Sequence, residues 1–357
     1  MTSVSVAILH PEADPDAGPL ARAVAEARAG LAERHRAGFL TAGAAHARVL
    51  AGPPDETPFG VRLRRLLDDA GPGGLVVLGS GAVPLLSAVD RRSFVTAAAA
   101  DRPGALANNR YSADIVAIAR AHDALAGSPD LPSDNMLPRW LDEVAGVPVA
   151  DLRHRWRLGV DIDGPLDLVL LGGRWSGGLT AAERERVETR LAAIRGVVGD
   201  RAAEIVVAGR TSPGALTWLE RSGAARTRAI IEERGMRTSA PGQRPAASVL
   251  GALLDRDGPA GLGAHLAHLG EAAIIDSRVL LAHRLGADEA RWPPAEDRHA
   301  SDLLLHERIG DPWLRALTRS AAEAPIPILL GGHTLVGPGL RLALRQNAGP
   351  AARSPRS

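Results

Sequence analysis

The sequence predicts an α/β protein of two domains, the second a doubly wound sheet. Three observations carry that expectation. Short apolar runs, such as residues 4–9 and 205–208, alternate with longer Ala-, Arg- and Glu-rich stretches of helical period. That alternation is the pattern of strands and crossover helices in a largely parallel sheet. At 357 residues the chain is long enough for two domains of ordinary size. Glycine pairs at 172–173 and 177–178 punctuate its middle. The expected division is 1–172, 173–345, and a polar, Pro- and Arg-bearing tail at 346–357 that should be disordered.

Composition narrows the function classes. Hydrophobic residues are 45% and charged residues 23%, a soluble globular profile. The net charge of +1 gives no polycation for nucleic acid. No lysine occurs, so all 42 basic side chains are arginine. Any cationic ligand contact must therefore come from Arg or His, which suits phosphate and carboxylate groups. Cysteine is absent, which excludes disulfides and thiol nucleophiles. No apolar run approaches the roughly 18 residues of a membrane helix. Residues 1–14 lack a basic leader and break at Pro11, so they read as a first strand, and a cytoplasmic protein is expected.

Taken in order, residues 4–9 should form a buried strand and 20–36 a helix. Residues 63–70 should form a second helix, stopped by Gly71-Pro72-Gly73-Gly74. Residues 75–78 read as a strand ending in Gly79-Ser80-Gly81, the kind of turn where an α/β sheet places its ligand. Residues 93–100 read as a third strand. Residues 136–144 have helical spacing and end at Gly146, with Ser133 as N-cap and Asp134 and Asn135 in the first turn. Those three either cap the helix or bind a ligand.

The densest polar cluster is residues 108–114, which hold Asn108, Asn109, Arg110, the only tyrosine and Asp114. Ser112 is a plausible N-cap for an apolar helical pattern starting at Ile115, which would put the cluster at a helix N-terminus suited to anions. The alternative is an Asn-Asn turn carrying a solvated arginine. In Val160-Asp161-Ile162-Asp163 the two carboxylates share one face of a strand, because side chains alternate. Paired carboxylates repel unless a cation or proton sits between them. Hard oxygen ligands of this kind suit Mg²⁺ with substrate phosphates. Asp163 could instead cap the helix begun by Pro165.

In the second half, Thr180 with Glu183 forms a capping box for a helix at 180–194. Four strands then end in polar residues: Arg210 after 205–208, Glu233 after 229–231, Asp276 and Arg278 after 272–275, and His333 after 326–330. Ligands in open parallel sheets bind outside the carboxyl ends of the strands, so these residues are candidates for one site. Residues 296–302 either reach the same edge or cap a surface helix.

Over about residues 1–172 the order of parts resembles the GT-A type nucleotidyltransferases, most closely the phospholactate guanylyltransferase kind. The similar pieces are Pro84-Leu85-Leu86 after a strand turn, the Asn-rich loop, Ser133-Asp134-Asn135, and the final Asp161-Ile162-Asp163-Gly164-Pro165-Leu166-Asp167-Leu168. The last resembles the family's Asp-x-Asp-Thr-Pro-x-Asp-Leu segment and implies a metal-binding role for Asp161 or Asp163. The family's glycine-rich phosphate loop has no counterpart in residues 10–20, and Gly164 stands where Thr is usual.

These readings converge on an Mg²⁺-dependent nucleotidyl- or phosphoryl-transfer enzyme. In it Asp161 and Asp163 would hold the metal. Arg110, Asn108 and Asn109 would hold anionic oxygens, and Ser80, Gly81, Ser133, Asp134 and Asn135 would line the nucleotide. The expected partner is a nucleotide or phosphorylated small molecule, with a homodimer as an option and with neither nucleic acid nor membrane. Two alternatives stand beside it. One is a non-catalytic nucleotide- or partner-binding protein; the other is an enzyme using the strand ends of the second domain.

Overall fold

A computed structural model describes residues 2–345 apart from 56, 235 and 237–243. The tail expected to be disordered lies outside the described residues. The protein is α/β, built on two sheets. Strands β1 (Val4–Pro11), β2 (His46–Gly52), β3 (Gly74–Gly79), β4 (Gly104–Ala107), β5 (Ile115–Ala119) and β6 (Val149–Asp151) form a mixed sheet in the order β2-β1-β3-β5-β4-β6. Within it β1 is parallel to both β2 and β3, while β5 runs antiparallel between β3 and β4. Strands β7 (Glu204–Gly209), β8 (Arg226–Ile231), β9 (Ala272–Asp276) and β10 (Ile328–Gly331) form an all-parallel sheet in the order β10-β9-β7-β8.

Two sequence expectations are corrected here. Residues 115–119 are a strand, not the start of a helix. All five residues, Ile-Val-Ala-Ile-Ala, are buried because β5 is a central strand covered on both faces. A short, continuous apolar run of that kind fits either period, and its position between two strands decides. The loop 108–114 therefore joins two antiparallel strands and feeds no helix N-terminus. Residues 93–100 are the reverse case: they belong to helix Ala88–Ala98, started by a Ser87–Asp90 capping box. Phe94, Val95 and Ala98 fall on its buried face. The capping box at Thr180 and Glu183 is present as expected, with Glu183 N–H donating to Thr180 Oγ1 at 3.2 Å.

The sheet orders locate two crevices. Strands β2 and β3 flank β1 on opposite sides, and β8 and β9 flank β7 likewise. Connections diverge at such points and leave an opening at the carboxyl ends of the strands. The two halves are not separated by the glycine-rich segment in the way two independent cores would be. One apolar cluster contains Leu20, Val24 and Leu31 of helix Pro19–Thr41, Leu166 and Leu168 of helix Pro165–Leu171, and the interior of the second sheet. Glu296, from the second half, accepts from the N–H groups of Leu20 and Ala21 and so caps the first helix from a distance. A Cβ added at Gly18 would lie 2.3 Å from the Glu296 carboxyl carbon, so a side chain there would push this cap aside.

The same helix buries His35 completely, with Nε2 2.9 Å from the carbonyl of Ala82. Burial is the main cause that lowers its pKa to about 4, and the hydrogen bond to Ala82 opposes it. The unfolded chain takes up this proton near pH 6.5, whereas the folded chain resists until about 4. Stability is therefore full above pH 6.5 and falls as pH drops through that window, by up to about 3 kcal/mol. We expect urea unfolding to show this loss, and His35→Gln, which keeps a donor for Ala82, to lessen it. Equal pH slopes for the two proteins would mean that His35 is already charged in the folded state.

Candidate metal centre

The carboxyl edges of the two sheets meet around Asp161 and Asp163. Beyond β3 the chain turns through Ser80 and Gly81, and Ile162 N–H donates to the Gly81 carbonyl at 3.0 Å. A single antiparallel bridge joins Ala82 to Asp161, so residues 160–163 are extended along this turn without forming a full strand. Gly81 permits the approach: a Cβ there would stand 2.9 Å from the Ile162 carbonyl oxygen. The following residue but one, Val83, is buried with φ of 45°, a strained conformation for a β-branched residue at the rim of the site.

The third member comes from the other half. Strand β10 ends at Gly331, and His333 follows after one more glycine. His333 Nε2 lies 3.8 Å from Asp161 Oδ2, and its Nδ1 lies 3.5 Å from Asp163 Oδ2. One ligand atom from each of Asp161, Asp163 and His333 lies within 4.8 Å of the other two, a spacing that could hold a metal ion. Thr334 Oγ1 accepts from the N–H of Asp161 at 3.3 Å and ties the two segments together. Arg28, which sequence reasoning missed, donates through Nε to the Ile162 carbonyl at 2.7 Å and pairs with Asp163 at 3.3 Å.

The reading of Asp163 as a helix cap does not describe the structure. Gly164 is the N-cap of helix Pro165–Leu171, and Asp167 Oδ2 accepts from the N–H groups of Asp163 and Gly164 at 2.8 and 2.9 Å. The capping role therefore belongs to Asp167, which leaves the Asp163 carboxylate directed to the cluster with His333. Asp167 is buried beside the Asp163 charge, and these two causes push its pKa up to about 8.

Around this cluster stands a ring of buried ion pairs from the second half. Arg210 makes a bidentate pair with Asp276, at 2.6 and 3.1 Å. Burial raises the Asp276 pKa, but the charge and hydrogen bonds of Arg210 outweigh it and hold the group below the usual carboxylate range. Arg278 makes a second bidentate pair with Asp302, one contact at 2.6 Å. Burial works against the Arg278 charge, yet Asp302 prevails and raises its pKa above the ordinary arginine value. The Asp302 carboxylate explains the glycine at 164: a Cβ there would lie 2.6 Å from Asp302 Oδ2. His299 is buried against the same point, and burial first, then nearby arginines, lower its pKa to about 3. On the first sheet's side, His10 at the end of β1 lies 3.0 Å through Nδ1 from Ser80 Oγ.

The sequence candidates thus divide into two groups. Asp161, Asp163 and His333 come together, with Ser80 and Gly81 in the adjoining turn and with Asp276, Arg278 and Arg210 in the surrounding ion pairs. The Asn108 group goes elsewhere. Asn108 is buried and structural: its amide donates to Asp114 and to the Leu158 carbonyl, both at 2.7 Å, and accepts from the N–H groups of Asp114 and Ile115. Asn109 closes a local turn by accepting from Tyr111 N–H. Arg110 pairs with Asp142, with Glu143 at 3.9 Å, so its charge is already matched within the protein. Asn135 accepts from Ser112, and Ser133 makes no side-chain cap. Glu233 accepts from Ala247 N–H, away from the cluster.

Asn108 gives a stability test for this division. Replacing it by Ala leaves a buried carbonyl and two buried N–H groups without their partner, at about 1–3 kcal/mol per stranded group. We expect Asn108→Ala to lower the free energy of unfolding in urea by at least about 2 kcal/mol, with divalent-metal affinity intact. A normal stability with lost metal binding would return the loop to the site.

No protein-family model matches the chain, and no curated protein matches it. Among the described residues, no helix is long and apolar enough to cross a membrane.

Proposed function

We propose that the protein is an enzyme that binds a divalent cation through Asp161, Asp163 and His333 and acts on an anionic, phosphorylated small molecule in the crevice between its two sheets. The observation that carries this reading is the convergence of a carboxylate pair from one half with an imidazole from the other. Carboxylate oxygens suit Mg²⁺ and Mn²⁺, and an imidazole ligand tilts the preference toward Mn²⁺ or another transition metal. A cation held there would polarise a phosphoryl or carbonyl oxygen of the substrate and offset its developing charge.

The protein's own groups then have definite tasks. Arg28 fixes the Asp163 side chain and the Ile162 carbonyl, so the ligand geometry is set before anything binds. Asp167 holds the backbone of Asp163 and Gly164. The pairs Arg210–Asp276 and Arg278–Asp302 fill the crevice of the second sheet with matched charge, which keeps its carboxyl edge rigid and leaves the open side toward β1 and β3. His10 and Ser80 stand on that side, where His10, held mainly neutral by burial and by the Arg28 charge, is placed to accept a proton. Nucleotidyl or phosphoryl transfer fits this equipment, since such chemistry needs positioning and charge neutralisation more than a protein nucleophile.

The test is a calorimetric titration with Mn²⁺ and with Mg²⁺, followed by a thermal-shift screen of nucleotides and sugar phosphates with and without the cation. Binding to the native state raises the melting temperature by mass action. We expect saturable, single-site Mn²⁺ binding and at least one phosphorylated compound whose shift requires the cation. Absence of cation binding would leave the crevice a purely structural junction.

A further inference from the structure

A cavity lies away from this crevice, at the far end of helix Ser277–Leu285. The first turn of that helix carries Arg278, which faces Asp302, and its last turn carries Arg284. Six residues of helix put the two about 9 Å apart along the axis. Beside Arg284 is a cavity of about 230 Å³, walled by Leu281, Trp292 and Trp313 and rimmed by Arg284, Arg291 and Asp311.

The wall and the rim have different chemistry. Trp292 is buried, and its indole N–H is already donated to the Gly286 carbonyl at 2.8 Å. It therefore offers the cavity an apolar ring and no hydrogen bond. Trp313 sits at the start of helix Pro312–Ala322, and the Arg284 guanidinium lies 5.0 Å from its ring centre. Neither Arg284 nor Arg291 stands at ion-pair distance from a carboxylate among the described residues, unlike Arg298, which pairs with Glu289 at 3.0 Å. The one acid at the rim, Asp311, is committed: its Oδ1 accepts from Leu314 N–H at 2.7 Å and caps the helix. With Arg284 over the Trp313 ring and Arg291 at the rim, two guanidinium groups face the single Asp311 carboxylate and leave a surplus of positive charge next to aromatic surface.

We propose that this cavity binds a small aromatic anion, a single planar ring bearing one carboxylate or phosphate. Size decides between ring classes. Pockets for drug-sized or dinucleotide ligands run from about 300 to 1,000 Å³. A cavity of about 230 Å³ is smaller and holds one ring with its anionic group. The ring lies against the indole wall, where aromatic pairs gain beyond plain burial. Its anion reaches Arg284 and Arg291, whose planar forks match a carboxylate or phosphate.

The experiment follows tryptophan fluorescence and heat during titration of the whole protein, without added divalent cation, with benzoate and with phenyl phosphate. Cyclohexanecarboxylate and inorganic phosphate serve as controls for the ring and for the anion. Saturable binding of either aromatic anion is expected, several-fold tighter than either control, and whichever binds tighter identifies the anionic group. Arg284→Gln and Arg291→Gln should each weaken it by about tenfold or more, since a charge-assisted hydrogen bond is lost. Both arginines are exposed, so melting of the ligand-free variants should match the wild type. No saturation by either compound, equal binding of the controls, or affinity unchanged in both variants would overturn the assignment.

Discussion

Asp161→Asn, Asp163→Asn and His333→Ala should each weaken Mn²⁺ binding by about 100-fold or more if the three are ligands. Loss of a group that merely orients a ligand already costs 10–100-fold in metal affinity, so removal of one of three direct ligands should reach at least the upper end of that range. The rival role for Asp163 is its pair with Arg28. Both side chains keep over a quarter of their surface in solvent, 27% and 29%, so that pair is worth at most about 1 kcal/mol. If pairing were the whole purpose of Asp163, the Asn variant would lose a little stability and keep its metal affinity. The metal reading gives the opposite sign in the cation-free protein: two carboxylates held close repel, and neutralising one should leave melting unchanged or raise it. Calorimetric titration beside thermal melting reads both quantities. Mn²⁺ affinity unchanged in all three variants would remove the metal centre.

The Arg278–Asp302 pair should prove the costliest contact to break. Only 11% and 2% of the two side chains remain exposed. Truncating one partner strands the other as an unmatched buried charge, at about 3–5 kcal/mol. Arg278→Ala and Asp302→Ala should therefore each lower the free energy of unfolding by that amount. The double variant Arg278→Met with Asp302→Leu should lose much less than the sum of the two, because no charge is left stranded. Metal binding adds a readout that general destabilisation would not move. The Asp302 carboxylate fills the space against Gly164, the residue after Asp163. Even the stable double variant should bind Mn²⁺ less tightly, by roughly 10-fold, as for other groups that position ligands. Single variants costing under about 1 kcal/mol would mean that water reaches the pair.

What the sequence determined by itself is local. Alternating apolar runs marked β1, β3, β7, β9 and β10, because a buried strand in a parallel sheet must be apolar on both faces. Ser and Thr followed by an acid three residues on marked a helix start at Thr180, since the reciprocal hydrogen bonds lie within one turn. The same signal at Ser87 was legible too, but the apolar residues after it also suit a strand. Asp161 and Asp163 stood out because a two-residue spacing in extended chain places both carboxylates on one side.

Only the tertiary structure decided which charges are spent and which remain to act. Arg110 looked like an anion ligand until Asp142, 32 residues on, proved to neutralise it. Asn108 looked like a ligand for anionic oxygens until its amide proved to be bonded to Asp114, Ile115 and Leu158. His333 lies 170 residues beyond Asp163 in the chain, and no spacing rule links them. Their meeting depends on how the two halves pack, through a core that helix Pro19–Thr41 shares with the second half. Short-range patterns report hydrogen bonds and periodicity, which the chain settles within a few residues. The partner of a charge is settled by the lowest-energy packing of the whole molecule, and that choice is not written near either residue.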